Sequence, residues 1–416
     1  MIENIKKYNF WNGNNIETGF LRKAYIENLN RYVGNRLVKV LVGQRRSGKS
    51  YIMRQLARQL ILNGIPEENI LYINKEFIEY SDVRTCHDLE HLLNEYFREL
   101  SPKGKTFLFI DEVQYIQDWE IFVNSHSQDF STECEIFLSG SNSRLLSGEL
   151  ATLLSGRYIQ FEILPYSFEE YCRISQIPED KDSYMKYLHT GALPELFNLA
   201  DDEMKGNYVS SLKDTVMLRD IVQRYKVKDA GLLEDVFTYL INNASSLVSI
   251  TNIINWFASK KRKTNYETLS AYIGYLENSF LIHRSERYNI RGKETISGNA
   301  KYYANDLAYN NYVYKGFGYG DGWLLENAVY LELRRRGYRI WTGNISHFEV
   351  DFVASRNGET IYCQTALSIS DPDTAAREYK PLKNIPDNFR KYIISLDSYP
   401  IASNEGIEHI LPWQLP

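Results

Sequence analysis

The sequence has few of the features that mark a secreted, membrane-spanning or zinc-binding protein. Its 416 residues include four cysteines, which are scattered without a CxxC pair, so neither a disulfide framework nor a zinc site is expected. Uninterrupted apolar runs are much shorter than the ~18 residues that a membrane helix needs. The first fifteen residues lack the apolar core of a secretory signal. We therefore expect a cytoplasmic protein that does not enter the membrane.

The chain also lacks a large excess of either charge, since 48 Lys and Arg are balanced by 53 Asp and Glu, for a formal net charge of -5. This balance does not indicate a protein that coats nucleic acid, although one local basic face is compatible with it. Hydrophobic residues make up 44% and charged residues 24%, which excludes a mainly disordered chain. Function therefore has to be inferred from motifs.

The strongest motif is an octapeptide that fits GxxxxGK[ST]. Its members are Gly43, Gln44, Arg45, Arg46, Ser47, Gly48, Lys49 and Ser50. The apolar run 37–42 before it predicts a strand, and the periodic segment 51–62 after it predicts a helix, which is the context that a P-loop requires. Backbone N–H groups of such a loop cradle phosphates, its lysine reaches the β- and γ-phosphates, and its serine binds Mg²⁺. The cofactors predicted are ATP and Mg²⁺.

Two further predicted strands end in polar residues. Residues 106–110 are apolar and lead into Asp111 and Glu112. Asp111 is predicted to hold Mg²⁺ and Glu112 to deprotonate the attacking water, although such a pair also caps helices. The run 134–139 precedes Asn142, which we predict, with Ser141 as the alternative, to sense the γ-phosphate; both residue types also form turns.

These segments, GQRRSGKS, FLFIDE and FLSGSNSRLL, together resemble the AAA+ class of P-loop ATPases. With HTGALPELF and EVDFV further on, the chain resembles bacterial and archaeal proteins that join an AAA ATPase to a C-terminal domain of unknown function. The resemblance implies that Arg157 is an arginine finger acting on a neighbouring subunit, and hence a homo-oligomer. The alternatives are that Arg157 is a surface residue or contacts the nucleotide of its own chain. The finger could also be Arg144 or one of the Arg45–Arg46 pair.

Four domains are predicted, for an α/β fold class with an AAA+ type parallel sheet. They are a P-loop ATPase domain at 1–165, a helical lid at 166–230, a winged-helix domain at 231–305 and an α/β restriction-endonuclease-like domain at 306–416. Strands alternate with helices in the first domain, which is typical of a parallel sheet.

The winged-helix prediction comes from three helical segments followed by a polar hairpin at 284–301. Basic side chains around the third helix and the hairpin would supply contacts to DNA phosphates. They are Lys260, Lys261, Arg262, Lys263, Arg287, Arg291 and Lys293. The alternative is a protein–protein module with a solvated basic loop.

The C-terminal prediction depends on Glu326 on a helix and Asp351 on a strand, in the layout of a restriction-endonuclease-like core. Where such a core has Glu-x-Lys, this sequence has Gln364, Thr365 and Ala366. An amide is a poor Mg²⁺ ligand, and alanine cannot steady a nucleophile, so we expect an inactive domain that docks a protein partner.

The function predicted is an ATPase whose MgATP turnover drives a winged-helix and C-terminal module acting on DNA or a protein partner. A nucleotide-sensing switch with very slow turnover is the alternative. An ATP-controlled DNA nuclease is the less favoured one, because its lysine is missing.

Overall fold

A computed structural model describes residues 2–129, 131, 133–146, 154, 156–313, 320–399, 403 and 405–416. The chain divides into two compact units, Met1–Ile163 and Leu164–Pro416. The division lies two residues before the predicted end of the ATPase domain. The finer division of the second unit into three domains stays a prediction.

The first unit is built on a five-stranded sheet in which every pairing is parallel. Its strands are β1 (Val38–Val42), β2 (Ile70–Asn74), β3 (Thr106–Asp111), β4 (Cys134–Gly140) and β5 (Tyr158–Glu162). Their order across the sheet is β2-β3-β4-β1-β5. Near-continuous apolar runs form these strands because both faces of such a sheet are covered. The predicted parallel sheet is confirmed.

Two helices of the first unit precede its sheet and three connect its strands, among the described residues. They are α1 (Ile2–Ile5), α2 (Lys23–Asn30), α3 (Lys49–Leu62), α4 (Cys86–Leu100) and α5 (Trp119–Gln128). The start of α4 is fixed by a capping box, in which Thr85 and Asp88 each accept a backbone N–H of the other residue. Helix α3 begins at the lysine of the P-loop, so the loop spans only the turn between β1 and α3.

Helices of the second unit precede and flank its sheet. They are α6 (Phe168–Ser175), α7 (Lys181–Thr190), α8 (Asp202–Thr215), α9 (Ala230–Asn242), α10 (Ile250–Ser259), α11 (Tyr266–Asn278), α12 (Asp321–Arg335) and α13 (Pro372–Lys383). A π-helical segment, Val216–Gln223, continues α8. Seven of these helices start after a side chain that accepts the backbone N–H three residues on, namely Ser167, Asp180, Asp201, Asp229, Ser249, Asn265 and Asp371.

One mixed sheet of eight strands runs through the second unit in the order β13-β12-β11-β10-β9-β7-β8-β6. The strands are β6 (Leu247–Val248), β7 (Ile282–Asn289), β8 (Glu294–Ala304), β9 (Arg339–Ile345), β10 (Phe348–Arg356), β11 (Glu359–Thr365), β12 (Arg390–Ile394) and β13 (Ile407–Ile410). Strand β7 pairs with β9, so the sheet continues across the predicted boundary at residue 305. Among the described residues, no helix has the length and apolar character needed to cross a membrane.

Candidate functional site

The P-loop of the first unit is held in an open turn by its glycines. Gly43 has φ 151° and Gly48 has φ 99°, values that L side chains rarely adopt. A Cβ on Gly43 would stand 2.3 Å from the carbonyl oxygen of Ile163, so glycine is required there. The Ser47 hydroxyl inside the loop is fully buried and has no hydrogen-bond partner among the described residues. A buried hydroxyl without a partner, in a loop whose glycines let its N–H groups point inward, is consistent with a loop that binds phosphate oxygens.

Lys49 is buried at the first position of α3, and its ammonium group faces back over the loop. Its Nζ donates to the carbonyl oxygens of Gly43 and Gln44, each at 3.0 Å. The Oε1 atom of Glu112 lies 4.0 Å away. Lys49 is therefore held above the loop, where a bound phosphate chain would accept from it.

Asp111 is fully buried at the end of β3, where three neighbouring side chains hold its carboxylate. Tyr72 donates to Oδ2 at 2.7 Å and Asn74 at 3.1 Å, both from β2. Ser139 of β4 donates to Oδ1. These partners could not be recognised from the sequence, because their only signal is a polar residue near the end of an apolar strand, and many strands have one. These three hydrogen bonds fix the orientation of the Asp111 carboxylate, as the hydrogen-bond partners of a Mg²⁺ ligand do.

Glu112 follows in a left-handed backbone conformation, with φ 56° and ψ 49°. Its N–H donates to the Ser139 hydroxyl at 3.0 Å, and its Oε2 accepts from Gln114 Nε2 at 2.5 Å. Burial raises the pKa of Glu112, the Asp111 charge raises it further, and the cations Lys49 and Arg45 oppose the shift. A buried carboxylate with a raised pKa beside a phosphate site suits proton abstraction from water.

Two arginines brace the loop. Arg45 is mostly buried and donates to Glu76 at 2.6 Å and to the Tyr115 hydroxyl at 2.9 Å. Arg22, which the sequence did not single out, donates from Nη1 to the Ser47 carbonyl oxygen at 3.1 Å. Arg46 has a positive φ of 67°. These contacts place Arg45 in the support of its own loop.

Ser141 and Asn142 are both buried just beyond β4, at the sheet edge where the P-loop follows β1. Arg157 lies at the opposite edge. It precedes β5, and its carbonyl oxygen accepts from the Val38 N–H at 2.9 Å, at the start of β1. Five strand residues, or ~16 Å, separate that edge from the loop, which argues against a contact between Arg157 and a nucleotide on its own chain. The side chain of Arg144 lies outside the described structure.

Some of the basic side chains predicted to contact DNA interact with other residues of the second unit. Arg262 pairs with Asp235 and with Asp229, the latter at 3.0 Å, and Lys260 lies 3.9 Å from the Trp256 ring centroid. The third helix, α11, carries neither lysine nor arginine. Lys261, Lys263, Arg291 and Lys293 are exposed in the turn before α11 and in the β7–β8 hairpin.

A second polar site lies in the C-terminal half of the second unit. The Nζ of Lys301, on β8, is 2.8 Å from Glu326 Oε1, 2.7 Å from Glu349 Oε1 and 3.7 Å from Asp351 Oδ1. We call these four residues the Lys301 cluster. Burial alone would lower the pKa of Lys301, but the three carboxylates raise it above its usual value. The sequence prediction therefore brought Glu326 and Asp351 together but missed Lys301, which comes from another strand.

The Lys301 cluster borders a cleft of about 590 Å³. Gln364 lines this cleft, accepts from the Asp351 N–H at 3.2 Å and donates to Glu378 Oε2 at 2.9 Å. Thr365 donates to Asp351 Oδ2 through its N–H at 2.9 Å and through its hydroxyl at 2.8 Å. Glu326, Asp351 and Gln364 thus lie along one cleft, while the restriction-endonuclease-like interpretation stays a prediction.

Comparison with known families agrees with the geometry of the first unit. A model of an AAA domain matches residues 35–172, which contain the P-loop, Asp111, Glu112 and Arg157. A model described as a domain of unknown function matches residues 181–317. The fold and site of the first unit define a P-loop ATPase domain of the AAA+ class.

Two relatives extend over nearly the whole chain. A Haemophilus influenzae protein described as uncharacterized is 36% identical over 402 residues, covering 95% of this chain and 98% of its own. A Methanocaldococcus jannaschii protein with the same description is 30% identical over 392 residues, covering 90% and 84%. The chain belongs to the family that these two proteins represent, with an AAA domain in its first unit.

Solved structures with some likeness include the Walker-type ATPase of Pyrococcus abyssi, at a TM-score of 0.43 and 15% identity, covering 70% of this chain and 94% of that one. AMPPCP-bound DnaA from Aquifex aeolicus has a TM-score of 0.32 at 16% identity, covering 64% and 90%.

Proposed function

We propose that this protein hydrolyses ATP and uses the MgATP cycle to change how its second unit engages DNA or a protein partner. One observation carries the proposal: Lys49, Asp111 and Glu112 meet at the same edge of the sheet, and Glu112 Oε1 is 4.0 Å from Lys49 Nζ. A mere nucleotide binder has no need of a buried base beside its phosphate lysine.

Each residue has a separate task in this proposal. The loop N–H groups and Lys49 bind the β- and γ-phosphates, and Ser50 and Asp111 hold Mg²⁺. Bound Mg²⁺ would neutralise charge on the phosphates. Glu112 takes a proton from the attacking water, and Asn142 orients the γ-phosphate from the end of β4. Glu112 must be ionised, so activity is expected to fall with acid at a higher pH than an ordinary glutamate would dictate, because burial raises its pKa.

The second unit is proposed to engage either the phosphate backbone of DNA or a protein partner. A third helix without lysine or arginine is a poor reader of bases in the major groove, since the commonest base contacts use arginine. The exposed Lys261, Lys263, Arg291 and Lys293 support contacts to the phosphate backbone instead. A protein partner at the C-terminal part of this unit is the other proposal.

Steady-state ATP hydrolysis by the full chain tests the function, with and without double-stranded DNA. The wild-type chain should turn over, Lys49→Ala should lose nucleotide binding, and Glu112→Gln should bind ATP but turn over at least about 100-fold more slowly. The matched control is Glu120→Gln, a carboxylate on α5. Unchanged turnover in Glu112→Gln would mean that another group is the base. Turnover that ignores DNA would favour the protein partner.

The nucleotide-sensing switch is also supported by a specific observation. Lys49 faces Glu112 and donates to two carbonyl oxygens of the loop. These contacts would have to break before Lys49 binds phosphate and Glu112 binds water, which would slow hydrolysis. A single-turnover measurement separates the two functions. A switch would release phosphate slowly with or without a partner, whereas a coupled ATPase would be accelerated by one.

A further inference from the structure

The C-terminal part of the second unit has the order of elements that the restriction-endonuclease-like prediction requires. Helix α12 is followed by the antiparallel strands β9, β10 and β11, then by α13 and the parallel strand β12. Glu326 is on the helix and Asp351 on the middle strand, where the register of β10 shifts between Val350 and Val353. A fold of this kind would imply a divalent cation between the two acids.

The residues present do not fit such a cation. Glu326 Oε1 already accepts from Lys301 and from the Tyr303 hydroxyl, each at 2.8 Å. Asp351 Oδ2 accepts two hydrogen bonds from Thr365. In the arrangement that the structure gives the described residues, with Lys301 in place, no group of three or more His, Cys, Asp or Glu side chains is set to hold a metal ion.

Gln364 does not supply the missing ligand either. Its amide oxygen faces the Asp351 N–H, and its amide nitrogen faces Glu378. The neighbours fix this orientation, because an N–H can only donate and a carboxylate oxygen can only accept. The oxygen that a metal would use is therefore turned toward the backbone.

We infer that the ammonium group of Lys301 is the resident cation of the Lys301 cluster, so that this cleft excludes a divalent metal. Lys301 is 3% exposed in its side chain and lies within 4 Å of a carboxylate oxygen of Glu326, Glu349 and Asp351. The largely buried carboxylates of Glu326 and Asp351 need a compensating charge, and Lys301 lies between them and the partly exposed Glu349, where a metal would otherwise sit. The inference is independent of the proposed ATPase activity.

The experiment measures Mn²⁺ binding to the full chain without nucleotide, by the loss of the free-ion electron paramagnetic resonance signal. The wild-type chain and Asp351→Asn should bind Mn²⁺ alike, within about twofold, because the cluster takes none up. Lys301→Met, which removes the charge but keeps the shape, should gain one site per chain that binds at least about tenfold more tightly. Lys301→Met combined with Asp351→Asn should lose that site.

Two controls define the result. Lys293→Met removes an exposed charge from the same hairpin and should behave as the wild type, and Lys301→Arg should keep the metal excluded. Wild-type Mn²⁺ binding that Asp351→Asn abolishes would overturn the inference, whether or not Lys301→Met folds. A folded Lys301→Met chain, judged by intact ATP binding and circular dichroism, that gains no site would overturn it as well.

Discussion

At the scale of single residues, the contact between Gln114 and Glu112 is the most informative. Gln114 Nε2 donates to Glu112 Oε2, which leaves Gln114 Oε1 buried without a partner among the described residues. A buried unpaired oxygen costs about 1–3 kcal/mol, and the left-handed backbone of Glu112 has a cost of similar order. The hydrogen bond from Gln114 persists despite these costs and orients the carboxylate of the proposed base, so we propose Gln114 as a positioning residue.

Replacing Gln114 by leucine should lower kcat by about tenfold to 100-fold and leave the KM for ATP within about twofold, because Gln114 acts on the base and not on the phosphates. The acid limb of the pH–rate profile should move to higher pH, since the hydrogen bond from Gln114 lowers the pKa of Glu112. Gln117→Leu, in which an exposed glutamine three residues away is replaced, is the control. A loss of kcat with an unmoved acid limb would contradict this role.

At the scale of elements, the sheet of the first unit contains one buried ion pair between neighbouring strands. Lys39 on β1 and Glu135 on β4 have fully buried side chains and contact each other. Glu135 also accepts from the Gly34 N–H at 3.0 Å and pairs with Lys105 at 2.6 Å. Since β1 leads directly into the P-loop, this pair fixes the strand that positions the site.

Glu135→Ala should destabilise the full chain by about 3–5 kcal/mol, because it leaves the Lys39 ammonium buried without its carboxylate. The measurement is the urea midpoint at which nucleotide binding is lost. Glu133→Ala removes an exposed carboxylate two residues earlier and should change the stability by less than about 0.5 kcal/mol. Equal midpoints for the two variants would show that the pair contributes nothing to stability.

At the scale of the whole molecule, the arginine-finger role predicted for Arg157 would need a second copy of the chain. Arg157 lies at the edge of the sheet opposite to its own P-loop, which argues against a contact with its own nucleotide. The alternatives that remain are a finger on a neighbouring subunit and a surface arginine. We propose the first, because the family model that contains Arg157 is that of an AAA domain.

A mixing experiment distinguishes them. Arg157→Ala alone should lose about 10³-fold in turnover and keep ATP binding, as for other arginine fingers. Mixed with Lys49→Ala subunits, it should regain turnover well above either variant, because hybrid sites then combine an intact loop with an intact arginine. Arg31→Ala, at an exposed arginine of the same unit, is the control. Wild-type turnover in Arg157→Ala would leave it a surface arginine.

The sequence by itself determined the P-loop, the strand before it, the helix after it, and the place of Asp111 and Glu112. These are local properties, since a glycine pattern and apolar runs act over a few neighbouring residues. Only the tertiary structure decided that Tyr72 and Ser139 hold Asp111, and that Lys301 lies among the C-terminal acids. Such contacts join residues from separate strands, and the order and register of strands are set by packing over the whole sheet.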